Sequence, residues 1–265
     1  MTQGQLDNGR GRARLNMFRH LHEIQTGRTS SISHEILGFD SEGHAVDYST
    51  CNTAEEICEN STKLITFIDL AGDFKIILPL ICMLISTKFY EILGHQRYLR
   101  TTLSGLTGYS PHYVMLVISA NSGIVPMTQE HVGYAIALEV PFFIIMTKVD
   151  VTPKAKLQQT LDSLAKFLAQ IGSKKVPLIV KNGDNLLNAV SNISKENVVP
   201  IFCVSSVSGT GLQEVKRFLH LLPPVAGLKE QEKLEQANPE FQIGKNFQKI
   251  FKLSRTTQCM HDLHI

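Results

Sequence analysis

Four stretches of the chain are short apolar runs rich in β-branched and aromatic residues: LITFIDL (64–70), YVMLVISA (113–120), VPFFIIMTK (140–148) and VVPIFCVSS (198–206). A half-exposed strand would alternate apolar and polar positions, so unbroken runs of this length predict strands buried on both faces. Helical periodicity fills the intervals. In KAKLQQTLDSLAKFLAQI, Leu157, Leu161, Leu164, Leu168 and Ile171 recur at steps of three and four, which places them on one helical face. GLQEVKRFLHLL does the same with Leu212, Val215, Leu219 and Leu222 before Pro223 and Pro224 end it. TQEHVGYAIALE supplies a further helical segment ahead of the third run. Strands alternating with helices predict an α/β fold with a doubly wound, mostly parallel sheet. Ligands of such sheets bind beyond the carboxyl ends of the strands.

Composition narrows the picture slightly. A chain of 265 residues, 43% hydrophobic and without tryptophan, can bury one good core and leave tails. The net charge of +2 is too small to argue for a nucleic-acid surface. The five cysteines, Cys51, Cys58, Cys82, Cys203 and Cys259, are odd in number and form no C-x-x-C pair. A disulfide framework or zinc site is therefore not expected, and a reducing, cytoplasmic setting is. The opening MTQGQLDNGRGRAR has no signal-peptide core. The longest apolar run, Ile76–Ile85, is ten residues, half of the roughly 20 that a membrane helix needs. No membrane association is expected.

The polar residues that close the apolar runs carry the chemistry. FIDLAG brings Asp69 and Gly72 to a strand end, MTKVD brings Lys148 and Asp150, and CVSSVSG brings two serines, Ser205 and Ser206, and a glycine, Gly209. A carboxylate at Asp150 can accept from two adjacent ring donors, which guanine offers and adenine does not. The Lys148 stem can lie on a purine face, and N–H groups of the SSVSG loop can meet the base's O6. Asp69, through water, suits Mg²⁺, and the Gly72 N–H suits a terminal phosphate because no side chain blocks its approach. Each motif alone recurs by chance, and a serine-rich turn is often just the cap of the next helix. Three in this order, each at the end of a predicted strand, are much harder to attribute to chance.

The stretches LDNGRGRARLNMFRHLHEIQTGRTSSISHEILGFDSEG, ITFIDLAG, GHQRYLRTTLSGLTGYSP, SANSGIVPMTQEHVGYAIALEVPFFIIMTKVD and PIFCVSSVSGTGL resemble the G domain of the GTP-binding protein 1 and 2 family. These are translational GTPases similar to elongation factors 1A and Tu. The resemblance covers about residues 2–72 and 94–243. It implies GTP and Mg²⁺ as cofactors, GTP hydrolysis as a switch in translation, and the ribosome and tRNA as partners. By the same resemblance Thr29 lies in the first switch and, with Asp69, meets Mg²⁺. Gly72 belongs to the second switch, and His95 positions the attacking water. Thr147, Lys148 and Asp150 correspond to the guanine motif, with Thr in the usual Asn position. Ser205, Ser206 and Val207 form the last guanine loop.

Three departures accompany the resemblance. No G-x-x-x-x-G-K-[ST] occurs in these residues. The family carries that phosphate loop shortly before the LDNGRG segment, so this P-loop-type G domain is expected to lack its first strand and phosphate loop. Little nucleotide affinity and no hydrolysis above background are then expected of this chain. Second, the family runs D-L-A-G-H without a gap, whereas residues 73–94, DFKIILPLICMLISTKFYEILG, intervene here, and either Gly72 or Gly94 fits as the original glycine. This is an expected apolar insertion in the second switch. Docking of Ile76–Leu84 between the ITFIDL and VMLVIS strands is disfavoured because Pro79 lacks a ladder donor, so an aggregation-prone loop is expected instead. Third, the residues after EFQI do not resemble the family's β-barrel domain. The expected organisation is an incomplete G domain over 1–225 and a linker remnant and tail over 226–265, the tail disordered or a short amphipathic helix around Phe247, Ile250 and Phe251. The alternative to a translational GTPase is a non-catalytic splice isoform or fragment that binds partners.

Overall fold

The structure, a computed structural model, describes residues 2, 4–9, 18, 20–26, 33–69, 80–81, 112–137, 140–170, 175–193, 198–223, 241–243 and 249–251. In chain order the first half has α1 (Leu21–Thr26), β1 (Ser33–Phe39), β2 (Ala45–Val46), α2 (Ala54–Glu59), β3 (Lys63–Asp69) and β4 (Leu80–Ile81). The second half has β5 (Val114–Ser119), α3 (Pro126–Ala137), β6 (Phe142–Thr147), α4 (Lys154–Gln170), β7 (Val176–Val180), α5 (Gly183–Ile193), β8 (Val198–Cys203) and α6 (Leu212–Leu221). Two short strands follow, β9 (Phe241–Ile243) and β10 (Lys249–Phe251).

Among the described residues, eight strands form one sheet in the order β2-β1-β3-β4-β5-β6-β8-β7. The last four are mutually parallel, with β5 and β6 in register from Val114↔Phe142 to Ser119↔Thr147. The expected doubly wound sheet is present, and β6 shows why its sequence is apolar at every position. Phe142, Ile144 and Met146 enter one core with Val132 of α3 and Leu164 and Leu168 of α4. Phe143 and Ile145 enter the opposite core with Leu186 and Ile193 of α5 and Val215 and Phe218 of α6. Successive side chains on a strand point to opposite faces, so a strand covered on both faces has no polar position to spare. Phe218 lies against Phe143 and Phe202 with ring centroids 5.1 and 4.8 Å away.

The other half is antiparallel. β1 pairs with β3 through seven residues, from Ser33↔Asp69 to Phe39↔Lys63. α2 covers these strands through Ile57, and its first turn is capped by the Thr53 hydroxyl, which accepts from the Glu56 N–H at 3.2 Å. Lys63 ties the two halves together. Its ammonium donates to the carbonyls of Leu219 at 3.0 Å and Leu222 at 2.7 Å, and to that of His220, placing a cation at the negative end of α6.

The expectation that residues 73–94 do not dock is corrected at β4. Leu80 and Ile81 pair antiparallel with both neighbours, through Asp69↔Ile81 on β3 and Leu80↔Leu116 and Ile81↔Met115 on β5. Pro79 precedes the paired residues in sequence, so neither ladder asks for the N–H it lacks. The tail, expected to be disordered or a short amphipathic helix, differs from both at its described residues. Lys249–Phe251 forms a strand antiparallel to Phe241–Ile243. No helix among the described residues is long and apolar enough to cross a membrane.

Candidate nucleotide site

β3 is antiparallel to β4 and β4 to β5, so β3, β5, β6 and β8 all point their carboxyl ends to one edge of the sheet. Of the residues singled out in the sequence, that edge carries Thr147, Lys148, Asp150, Ser205, Ser206 and Val207. The loop after β6 meets the loop after β8. The Val204 N–H donates to the Met146 carbonyl at 2.8 Å, and the Val149 N–H donates to the Val204 carbonyl at 3.5 Å. Two motifs more than fifty residues apart in sequence thus become adjacent.

Within the first loop, Thr147 has its hydroxyl directed to the Ile118 carbonyl at 3.4 Å, and its own carbonyl accepts from the Ala120 N–H at 2.9 Å. Thr147 therefore fastens the end of β6 to the end of β5. Lys148 follows with φ +60°, a left-handed backbone that costs a non-glycine residue roughly 1 kcal/mol or more. The buried Thr152 hydroxyl, donating to the Lys148 carbonyl at 2.7 Å, holds that conformation. Lys148 and Asp150 are left exposed beside it.

The second loop is organised by Ser205, which is fully buried. Its hydroxyl oxygen accepts from the N–H groups of Val207 at 3.3 Å and Ser208 at 3.1 Å, and its carbonyl accepts from Gly209 at 3.0 Å. Ser205 is thus the loop's internal support, while Ser206 and Val207 face solvent. Gly211 closes the turn at φ +74°, where an added Cβ would collide with the Cys203 carbonyl oxygen. Thr152 and Gly211 were not singled out in the sequence. A hydroxyl residue four positions after the lysine and a glycine immediately before a predicted helix were the available signals.

Asp69 is the last residue of β3 and is buried, 6% exposed. Through Ile81 it stands level with Met115, four residues before Ser119, which pairs with Thr147. Four strand residues span roughly 13 Å, so Asp69 lies well behind the joined loops along the strand direction. Thr29, Gly72 and His95 lie outside the described residues. Among the described residues no group of three His, Cys, Asp or Glu side chains could hold a metal ion.

With this geometry in place, the comparison with known proteins is specific. The model of the family described as "Elongation factor Tu GTP binding domain" matches residues 90–225, the stretch that holds β5 to β8 and both joined loops. The chain belongs to the elongation factor Tu GTP-binding-domain family. Its fold is a translational-type G domain. GTP-binding protein 2 of Mus musculus is 51% identical over 244 residues, which cover 92% of this chain and 37% of that protein. GTP-binding protein 1 of Xenopus laevis is 43% identical over 239 residues, 89% of this chain and 33% of that protein. The chain therefore spans about a third of the length of the relatives it matches. A solved bacterial selenocysteine-specific elongation factor, EF-Sec, aligns with 88% of this chain and 29% of its own at 17% identity, with a TM-score of 0.45.

Proposed function

We propose that this chain is a guanine-nucleotide-binding module of a translational GTPase, in which GTP hydrolysis serves as a switch in translation. One observation supports this best: the Thr147–Asp150 and Ser205–Val207 loops are hydrogen-bonded side by side at the carboxyl edge of parallel strands. In this reading Asp150 accepts from the guanine ring donors, the Lys148 stem covers one purine face, and the loop at Ser205, Ser206 and Val207 meets O6. The left-handed Lys148 is strain at the point of recognition, held by Thr152.

Magnesium fits the donor set in a limited way. Asp69 offers one hard oxygen ligand, and Mg²⁺ takes one or two protein oxygens and completes its shell with water and phosphate. When bound it would neutralise phosphate charge. Thr29 would supply the second oxygen, Gly72 an N–H for the terminal phosphate, and His95 the group that orients water. Ribosome and tRNA are the partners this reading carries, together with a cytoplasmic location.

A second reading, a partner-binding module that does not hydrolyse GTP, is favoured by β4. Ile81 pairs directly with Asp69, so an inserted strand holds the backbone of the residue assigned to the metal. Equilibrium titration with fluorescent GTP and ATP analogues tests the main reading. Guanine is expected to bind more tightly, with the preference erased in Asp150→Ala; equal affinities in the unaltered chain would overturn it. Single-turnover phosphate release then separates the two readings. Hydrolysis abolished by His95→Ala supports the enzyme, and guanine binding without hydrolysis supports the module.

A further inference from the structure

Residues 4–9 connect two places that are far apart in sequence. At one end Gly4, at φ +64°, lies against the turn after β2, where a Cβ would collide with the Ser49 side chain. The neighbouring Tyr48 N–H donates to the Thr2 carbonyl at 3.0 Å. This turn is a firm anchor. Asp47 is 3% exposed, accepts from the Ser49 N–H at 3.0 Å, and meets the Lys216 ammonium of α6 at 3.1 Å. Burial pushes the Asp47 carboxyl up, but the Ser49 hydrogen bonds and Lys216 together bring it below the ordinary carboxylate range.

At the other end the same segment meets the candidate base loop. The Asp7 N–H donates to the Ser206 carbonyl at 2.9 Å. The Leu6 methyls stand 3.4 and 3.5 Å from where a Cβ on Gly209 would be, and Gly9, at φ +79°, faces a Val207 methyl. The Ser206–Val207 peptide is therefore held at both ends, its carbonyl by Asp7 and its N–H by the Ser205 hydroxyl. A peptide plane fixed this way cannot rotate without breaking one of the two bonds. Leu6, Val207 and Val151 are 54, 42 and 71% exposed, so three apolar side chains belong to the segments that make up the joined loops and this strap. Apolar surface there suits a flat aromatic ligand edge.

We propose that residues 4–9 are a positioning strap for base recognition. They anchor on the Asp47 turn and fix the Ser206–Val207 peptide, and with it the adjoining Ser206 N–H, which is the donor offered to the base. The proposal rests on the nucleotide-site reading above, and its test separates the two. In the full chain, Gly4→Val releases the anchored end and Leu6→Asp releases the loop end without entering the core. Hydrogen exchange, read without nucleotide, is expected to speed up about tenfold at residues 206–211 in each variant, with Val176–Val180 and Gly183–Ile193 unchanged. Affinity for a fluescently labelled GDP is expected to fall about five- to tenfold, while that for the labelled ADP stays put. Selective loss of guanine preference is something a merely structural segment would not produce. If Gly4→Val does not fold, Leu6→Asp decides alone. Faster exchange at residues 4–9 with unchanged exchange at 206–211 would overturn the strap. If the unaltered chain prefers neither nucleotide, the nucleotide-site reading falls, and with it the strap's role in reading a base, whatever the exchange shows.

Discussion

The two halves of the sheet are held by unequal means. From β5 to β7 the strands are parallel, paired over long registers and covered on both faces by helices, with Phe143, Phe202 and Phe218 packed together. From β2 to β4 they are antiparallel, and β4 joins β3 to β5 through one pair on one side and two on the other. The Thr147–Asp150 and Ser205–Val207 loops, the candidate base site, stand on the first kind of support, and Asp69 stands on the second. In the proposed reading, a rigid guanine edge is combined with a phosphate edge whose geometry depends on a two-residue strand.

The largest break in this contrast is expected in the well-supported half. Phe218→Ala removes a fully buried ring from three-way aromatic packing and should cost about 3–5 kcal/mol, seen as a lower urea midpoint. A loss of unfolding free energy below about 1 kcal/mol would show that this core is not what holds the half together.

Acid should act on the same half. Burial lowers the His131 pKa from 6.5 to about 4. Below its ordinary pKa the unfolded chain then binds a proton that the folded chain resists, so stability is full above pH 6.5 and is lost as pH falls toward 4. The loss should approach about 2–3 kcal/mol, and His131→Gln should flatten the pH profile of thermal unfolding over that window. An unchanged profile would place the acid sensitivity elsewhere.

Gly211→Ala sharpens the contrast at the site. The added Cβ meets a backbone oxygen at a left-handed residue, so a loss of about 1–3 kcal/mol is expected. Guanine binding should fall alongside stability. A variant as stable as the parent would mean that the loop relaxes freely.

The smallest effect on global stability, about 1 kcal/mol, is expected from Ile81→Pro, which removes one ladder donor from β4. Its signature is local. Hydrogen exchange should speed up in β3 near Asp69 and stay unchanged in β6 and β8. Uniform exchange in both halves would show that the sheet opens as one unit.

Much of the well-supported half was legible residue by residue. The runs that became β5, β6 and β8 are unbroken because both their faces are covered, and the Leu157–Leu168 stripe follows the helical period of 3.6; both patterns lie within neighbouring residues. The β7 and α5 pair escaped that reading, VPLIV being only five residues long and α5 only eleven. The motif residues Thr147, Lys148, Asp150 and Ser205–Val207 were legible from their spacing. The supports they use, Thr152 and Gly211, were not, since their importance comes from a backbone angle or a carbonyl that no spacing reveals.

The sequence by itself determined strands β3, β5, β6 and β8, helices α3, α4 and α6 and the order of the motifs, because propensity and apolar period are local properties of the chain. Tertiary structure alone decided that Leu80 and Ile81 enter the sheet, that residues 4–9 bridge Asp47 to Ser206, and that Lys63 caps α6. Each of these contacts joins segments that are separate in sequence. Whether such a contact forms depends on the loop-closure entropy it must overcome and on which backbone groups the finished sheet leaves to be paired, and neither quantity is written in any single stretch of residues.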